Sequence, residues 1–375
     1  MENFYFFTVL ISFLFIINKK IAYYAMVIGC VGFLLTFPTN ELDYDTYKDA
    51  YDNSVLTSEF PWLYSETILT SERGYIYYQA FFGVFLPFGF PSFLAINFLI
   101  CLAISFFIFK NFADINKFYS FWVFSLPVIF PTIFYFSPRS TISYFLVFFG
   151  ISLFLNKKSF YFGLLMIYFG FSIHSQFILM SFFIVLTYFL LNNDLNSRNK
   201  NIKIICIISF CIFVLTFFMS MFSSYVSEIL SFTTDSEYAQ LKFSSFQENK
   251  STGFRLTSIL SVFIYPIMIF KLEKKYNMST TLTLFFKNKK NDVFFLYLLF
   301  ASIFYGCAIN LGYYNTPHMA GRLARLSDYI GMGLIIPAYI NSFYGKYTSY
   351  IILLLIVLLA PLIYSTLYYN VVWSF

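Results

Sequence analysis

Apolar runs of about 20 residues recur along the whole chain, and they restrict the fold more strongly than any other feature. A helix of that length crosses the hydrocarbon core of a bilayer, which is about 30 Å thick. Only 11% of the 375 residues are charged, and most of the charges stand between the runs. This pattern predicts an all-α, polytopic integral membrane protein with a single transmembrane domain over residues 1–375.

Lysine-rich turns orient these runs, because cytoplasmic loops carry an excess of Lys and Arg. The turn at Asn18-Lys19-Lys20 is therefore predicted to be cytoplasmic, with the N-terminus outside. The chain is then expected to form about twelve transmembrane helices, two larger extracytoplasmic loops at 39–73 and 223–253, and a basic cytoplasmic loop at 271–292. Predicted spans include 4–17, 21–38, 91–110, 118–136, a run from Arg139 to the lysines at 157–158, 159–174 and 347–370, with a short surface or re-entrant helix at 75–90.

Several classes of protein lack support in the sequence. The chain has no P-loop, no GxGxxG after a strand, no HExxH and no GxSxG, so neither ATP-driven transport nor the familiar hydrolases are indicated. Its five cysteines lie in apolar runs without CxxC spacing, which is typical of small core residues. The net charge of +6 comes from lysines in inter-helix loops. We predict no metal site, no cofactor and no nucleic-acid partner.

The arginines are not predicted to lie on the same side of the membrane as most of the lysines. Five of the six are predicted to lie outside, against the trend that places basic residues inside: Arg73, Arg139, Arg255, Arg322 and Arg325. A guanidinium offers a planar set of donors that suits phosphate, and a helix N-terminus adds a positive dipole end. Arg139, Arg255 and Arg322 each begin an inward-running helix, which makes them pyrophosphate-binding candidates together with Arg325. Headgroup anchoring, or an ion pair between Arg325 and Asp328, is the alternative.

The two histidines are further candidates. His174 is expected near the outer end of a span, where an imidazole that titrates near neutrality acts as a proton acceptor or a sugar ligand. A hydrogen-bonded packing residue at a helix end is the alternative for His174. His318 lies in a predicted outer loop beside Arg322.

The first outer loop combines carboxylates and aromatic rings, as carbohydrate sites often do. It begins ELDYDTYKDAYDN, which contains Asp43, Tyr44, Asp45 and Tyr47, and it ends near Glu72-Arg73-Gly74-Tyr75. The spacing of the acidic residues lacks the EF-hand pattern and its glycine. A solvated acidic loop is the alternative to a sugar site.

These segments together resemble the EpsG family of membrane proteins, which includes Wzy-type polymerases of O-antigen and exopolysaccharide repeat units. The resemblance covers nearly the whole chain. It rests on the Asp43-Tyr44-x-x-Tyr47 element, Glu72-Arg73-Gly74-Tyr75, Pro138-Arg139, Ile173-His174-Ser175, and Arg322-x-x-Arg325-x-x-x-Tyr329 with Pro337 further on.

The resemblance implies a glycosyltransferase that joins undecaprenyl-pyrophosphate-linked oligosaccharides at the periplasmic face of the bacterial inner membrane, as in lipopolysaccharide O-antigen synthesis. A hydroxyl of the acceptor sugar attacks the anomeric carbon of the donor, and undecaprenyl pyrophosphate departs. The lipid-linked glycans and the bilayer are the implied partners, and a chain-length regulator is a further candidate partner.

Roles for the candidate residues follow from this expectation. Four arginines hold the pyrophosphate, namely Arg139, Arg255, Arg322 and Arg325. The proton acceptor is His174, Asp43, Asp45 or Glu72, and the sugar-binding residues are Tyr44, Tyr47, Arg73, Tyr75 and His318. Two alternatives stay open: a flippase or exporter of lipid-linked oligosaccharide, and a membrane O-acyltransferase of polysaccharide.

Overall fold

A computed structural model describes residues 2–36, 44–45, 47–49, 51–52, 73–85, 89–112, 118–119, 121–124, 126, 130, 138–155, 159–174, 264–265, 267–268, 271 and 336–359. Within these residues the regular structure is helical and no strand occurs, so the all-α prediction is confirmed there. The total of about twelve spans stays a prediction. The helices are α1 (Glu2–Ile17), α2 (Lys19–Thr36), α3 (Arg73–Phe85), α4 (Phe90–Phe112), α5 (Pro138–Leu155), α6 (Phe160–Ile173), α7 (Ile336–Phe343) and α8 (Lys346–Leu358).

Helices α1 and α2 form the predicted hairpin. Asn18 separates them, and its side-chain oxygen accepts hydrogen bonds from the backbone N–H groups of Lys20 (3.0 Å) and Ile21 (3.3 Å). This is an N-cap, which satisfies donors that the first turn of a helix leaves open. The rings of Phe4 and Phe33 meet edge to face at 5.4 Å, so the two helices run antiparallel.

Large apolar side chains are exposed in stripes along this hairpin. They recur every three or four residues on α1 and along most of α2: Phe6, Leu10, Phe13 and Ile17, then Ile21, Tyr24, Ile28 and Leu35. Among the described residues, two helical segments, Lys19–Thr36 and Phe90–Ile108, are long and apolar enough to cross a membrane by length and composition. Exposed apolar stripes on such helices favour lipid, and not water, as the surrounding solvent.

Helix α3 confirms that a short helix precedes the span at 91–110, but it covers Arg73–Phe85 and not 75–90, and its surface or re-entrant placement stays a prediction. Its 13 residues reach roughly 20 Å at 1.5 Å per residue, which is less than the thickness of the hydrocarbon core. Gly89, which lies between α3 and α4, has a φ of +80°. A residue with a Cβ is strained in that conformation, so the glycine permits the turn.

Of the helices that the structure describes, α5 and α6 share the most extensive contact. A Cβ on Gly150 would lie 2.6 Å from the carbonyl oxygen of Gly163, and a Cβ on Gly170 would lie 2.4 Å from Val147. Small residues allow helix backbones to approach in this way within a membrane. Because the pair is antiparallel, the start of α5 and the end of α6 lie at the same end of the bundle.

Helix α4 packs against both α2 and α5, and α1 also contacts α8. The indole of Trp122 donates a hydrogen bond to Ser105 of α4 at 3.0 Å, and its ring stacks on Phe145 of α5 at 5.9 Å. Cys30 and Cys101 are buried free thiols, which confirms the core prediction for these two cysteines.

Candidate functional site

Arg139 is the second residue of α5. Pro138 begins that helix, a position that proline suits because its missing N–H would have no partner in the first turn. The guanidinium carbon of Arg139 lies 5.7 Å from the centre of the Tyr47 ring. This cation–π contact joins the segment between α2 and α3, predicted to be the first outer loop, to the helix that carries the arginine.

Tyr75, on the first turn of α3, completes this cluster. Its side chain is fully buried, and its ring meets the Tyr47 ring edge to face at 5.9 Å. Burial raises the pKa of Tyr75 well above its usual value, Tyr47 adds to the rise, and the positive charge of Arg139 opposes it. The guanidinium of Arg139 therefore lowers the pKa of the Tyr75 hydroxyl. Tyr47, Tyr75 and Arg139 form one group, here called the arginine–tyrosine cluster.

Gly74 explains how α3 reaches this position. A Cβ at Gly74 would lie 2.3 Å from the Ser172 hydroxyl oxygen and 2.4 Å from its backbone carbonyl carbon. Only a glycine allows the start of α3 to pack this closely against the last turn of α6. Within the Glu72-Arg73-Gly74-Tyr75 element, Gly74 thus packs against α6 and Tyr75 belongs to the arginine–tyrosine cluster.

His174 lies directly after α6 in extended backbone, with φ −152° and ψ 107°. Its backbone N–H donates to the Gly170 carbonyl at 3.0 Å. The Ser143 hydroxyl on α5 donates to that same carbonyl at 2.5 Å and lies 3.5 Å from the His174 carbonyl oxygen. Because Ser143 is one turn beyond Arg139, these bonds place His174 at the same end of the bundle as Arg139. The side chain is 6% exposed, a burial that suits both a packing role and a proton acceptor.

A hydrogen-bonded link across three helices holds the start of α5. The Tyr78 hydroxyl on α3 donates to the Asn97 side-chain oxygen at 3.1 Å. The Asn97 amide nitrogen on α4 donates to the Pro138 carbonyl at 3.2 Å. Sequence reasoning missed this link, although one asparagine inside the apolar run of α4 was a signal, because polar groups in a span need a partner.

The described part of the segment between α2 and α3 packs against α4. The Tyr44 ring is buried and meets Phe90 edge to face at 5.2 Å, and the Tyr51 ring lies 5.3 Å from that of Phe93. Burial raises the pKa of Tyr44, and the carboxylates of Asp45 and Asp52 raise it further. Asp45 itself is exposed. Tyr44 therefore anchors the loop, while Asp45 faces solvent beside it.

The structure thus brings four predicted site residues to one end of the bundle, namely Tyr47, Tyr75, Arg139 and His174. Arg73 is the first residue of α3. Six candidates lie outside the described residues: Asp43, Glu72, Arg255, His318, Arg322 and Arg325. Among the residues that the structure does describe, no group of three or more His, Cys, Asp or Glu is arranged to hold a metal ion.

Comparison with known proteins gives one family. The model of the EpsG family matches residues 21–374, which is nearly the whole chain. The chain belongs to the EpsG family. Members of the EpsG family are Wzy-type polymerases, so this protein is a membrane protein of the polysaccharide-polymerase type. No curated protein and no solved structure matches the chain.

Proposed function

We propose that this EpsG-family protein joins undecaprenyl-pyrophosphate-linked oligosaccharide repeat units into O-antigen or exopolysaccharide at the periplasmic face of the bacterial inner membrane. The observation that carries the proposal is the position of Arg139, at the first turn of α5 and against the ring of Tyr47. A guanidinium at a helix N-terminus combines two features that bind a diphosphate.

The reaction makes one bond and breaks one. The acceptor hydroxyl oxygen bonds to the anomeric carbon of the donor sugar, and the bond from that carbon to the pyrophosphate oxygen breaks. The hydroxyl proton passes to a base, and undecaprenyl pyrophosphate leaves with the bonding electrons. Catalysis therefore requires two glycans held in line and a positive environment for the leaving group.

Each part of this task has candidate residues. Arg139, with Arg255, Arg322 and Arg325 as predicted partners, stabilises the leaving pyrophosphate. His174, Asp43, Asp45 or Glu72 accepts the proton. The aromatic and polar side chains of Tyr44, Tyr47, Arg73, Tyr75 and His318 bind sugar. Lipid-linked glycans are the partners that the proposal needs, and neither the structure nor the comparisons support a chain-length regulator.

The test uses purified full-length protein and lipid-linked single repeat units isolated from host cells that lack this gene. The wild type is expected to produce a ladder of longer glycans on a gel. Arg139→Ala is expected to keep the expression level of the wild type and to produce no long chains. Arg198→Ala removes the one arginine that is predicted to be cytoplasmic, and it serves as the matched control with a normal ladder.

Two outcomes speak against the proposal. Normal chain length in Arg139→Ala removes this residue from the mechanism. A wild-type protein that moves lipid-linked units across vesicles but never lengthens them in detergent supports a flippase instead, because a flippase makes no glycosidic bond.

A further inference from the structure

Gln79 is a buried amide beside the arginine–tyrosine cluster. It lies one turn after Tyr75 on α3, and its side chain is 1% exposed. Burial raises the pKa of Tyr75, and the neighbouring Gln79 amide opposes part of that rise. The two groups do not meet in hydrogen-bond geometry, however, and neither has another hydrogen-bond partner among the residues that the structure describes.

An unbonded amide in this position is costly. Removing a polar group from water without a replacement hydrogen bond destabilises a protein, and more so where the surroundings are apolar. Buried polar atoms without partners are therefore rare, and each one calls for an explanation such as a ligand. An unbranched apolar side chain of the same length would fill the same space without that cost.

The chemistry of the two groups selects the ligand. An amide presents a donor on its nitrogen and an acceptor on its oxygen, and a phenol hydroxyl is both donor and acceptor. Sugar hydroxyls also donate and accept, so they satisfy every polar atom of the pair. A fully ionised phosphate only accepts, and it leaves the amide oxygen without a donor. The pair thus matches a polyol, whereas the neighbouring Arg139 matches an anion.

We propose that Gln79 and the Tyr75 hydroxyl bind hydroxyls of the donor sugar that is attached directly to the lipid pyrophosphate. This inference rests on the proposed function, because Arg139 must hold the pyrophosphate for that sugar to reach α3. Gln79 is then a specificity-determining residue, since its donor and acceptor read the hydroxyl arrangement of one sugar.

The test separates ligand binding from folding through Gln79→Met, which keeps the length of the side chain and removes its polar atoms. Two probes are added to purified full-length protein in detergent: undecaprenyl pyrophosphate without sugar, and the lipid-linked single repeat unit. The wild type is expected to melt at a higher temperature with either probe, and the increase is expected to be larger with the glycan.

Gln79→Met is expected to melt at the wild-type temperature or above it without a probe, and to keep the increase caused by the sugar-free lipid. It is expected to lose the additional increase caused by the glycan, and its kcat/KM should fall about tenfold or more, because at least one hydrogen bond to substrate is lost. Tyr75→Phe, which removes one oxygen and keeps the ring, should act in the same direction. Thr8→Val on α1 is the control, since this buried hydroxyl bonds only within its own helix, to Tyr5, among the described contacts.

The outcomes distinguish this inference from the proposed function. A Gln79→Met protein that retains the full glycan effect, or that is clearly less stable than the wild type, overturns the assignment of Gln79 and leaves the polymerase intact. A wild-type protein that responds to neither probe and makes no polymer overturns both.

Discussion

The guanidinium of Arg139 lies over the ring of Tyr47, with 5.7 Å between the guanidinium carbon and the ring centre. Arg139 lies in the first turn of α5, whereas Tyr47 belongs to the segment between α2 and α3. The contact therefore fixes this segment at the end of the bundle where α5 starts and α6 ends. It joins two of the sequence elements that resemble the EpsG family.

This contact makes Tyr47 a test of how Arg139 is held. Tyr47→Leu removes the aromatic ring and is expected to cost about 0.5–2 kcal/mol of interaction free energy with Arg139, the range for cation–π pairs. Tyr47→Phe keeps the ring and should retain most of the polymerising activity. The KM of each variant for the lipid-linked unit measures the effect, and equal KM values for the two variants would argue against a role for the ring.

Asn97 is expected to position the start of α5. Asn97→Leu breaks the bonds to Tyr78 and Pro138 and leaves both groups buried without their partner, so it should lower the unfolding free energy by about 1–3 kcal/mol. Tyr78→Phe breaks one bond and should cost about 1 kcal/mol.

A double-mutant cycle provides the measurement for this link. The double variant should be less destabilised than the sum of the two single variants, because both remove the same Tyr78–Asn97 bond. A positioning role also requires that kcat falls in Asn97→Leu more than the affinity for undecaprenyl pyrophosphate does. Strict additivity would contradict a shared network.

Gly74 and Gly32 are a matched pair of helical glycines. Gly74→Ala places a methyl group within 2.4 Å of the Ser172 backbone, so α3 must shift away from α6, and both stability and polymer length should decrease. Nothing lies within 4 Å of a Cβ at Gly32 on α2. Gly32→Ala should therefore stabilise the protein by about 0.5–1 kcal/mol, from the higher helix propensity of alanine. Thermal melting in detergent measures the stability of both variants. A Gly74→Ala protein with the wild-type melting temperature and polymer length would contradict the close contact between α3 and α6.

The segment between α2 and α3 that contains Tyr44 should detach from α4 in alkaline solution. The pKa of Tyr44 is raised by burial and then by Asp45 and Asp52, so the folded state keeps the phenol proton more strongly than the unfolded state does. The associated stability is fully present below the ordinary tyrosine pKa of 10.0 and is lost as the pH rises through the folded value. Tyr44→Phe should remain attached at higher pH. Proteolysis of the loop as a function of pH measures the difference, and identical profiles would exclude Tyr44 as the anchor.

The helix bounds were largely predictable from the sequence, because the signals are local. Asn18 separates the first two helices, Gly89 precedes the fourth, and Pro138 begins the fifth. The end of α6 at Ile173 also agrees with the predicted span to within one residue. The span count and the membrane orientation of the later segments remain predictions.

The candidate site was predictable only in part. The sequence indicates Arg139 and His174 as site candidates, because charged or titratable groups are rare in apolar runs. The sequence does not indicate Gln79, Asn97 or Ser143, because the partner of an isolated polar residue is fixed only when the helices pack.

The order of apolar and polar residues along the chain determined that this protein is helical and membrane-embedded, because hydrophobic length and turn residues act over a few neighbouring positions. Tertiary structure alone decided that Tyr47 contacts Arg139 and that α3 packs at Gly74 against the end of α6. It also decided that the Gln79 amide is buried beside Tyr75. Those contacts join residues far apart in the chain, and they depend on which helix faces approach each other.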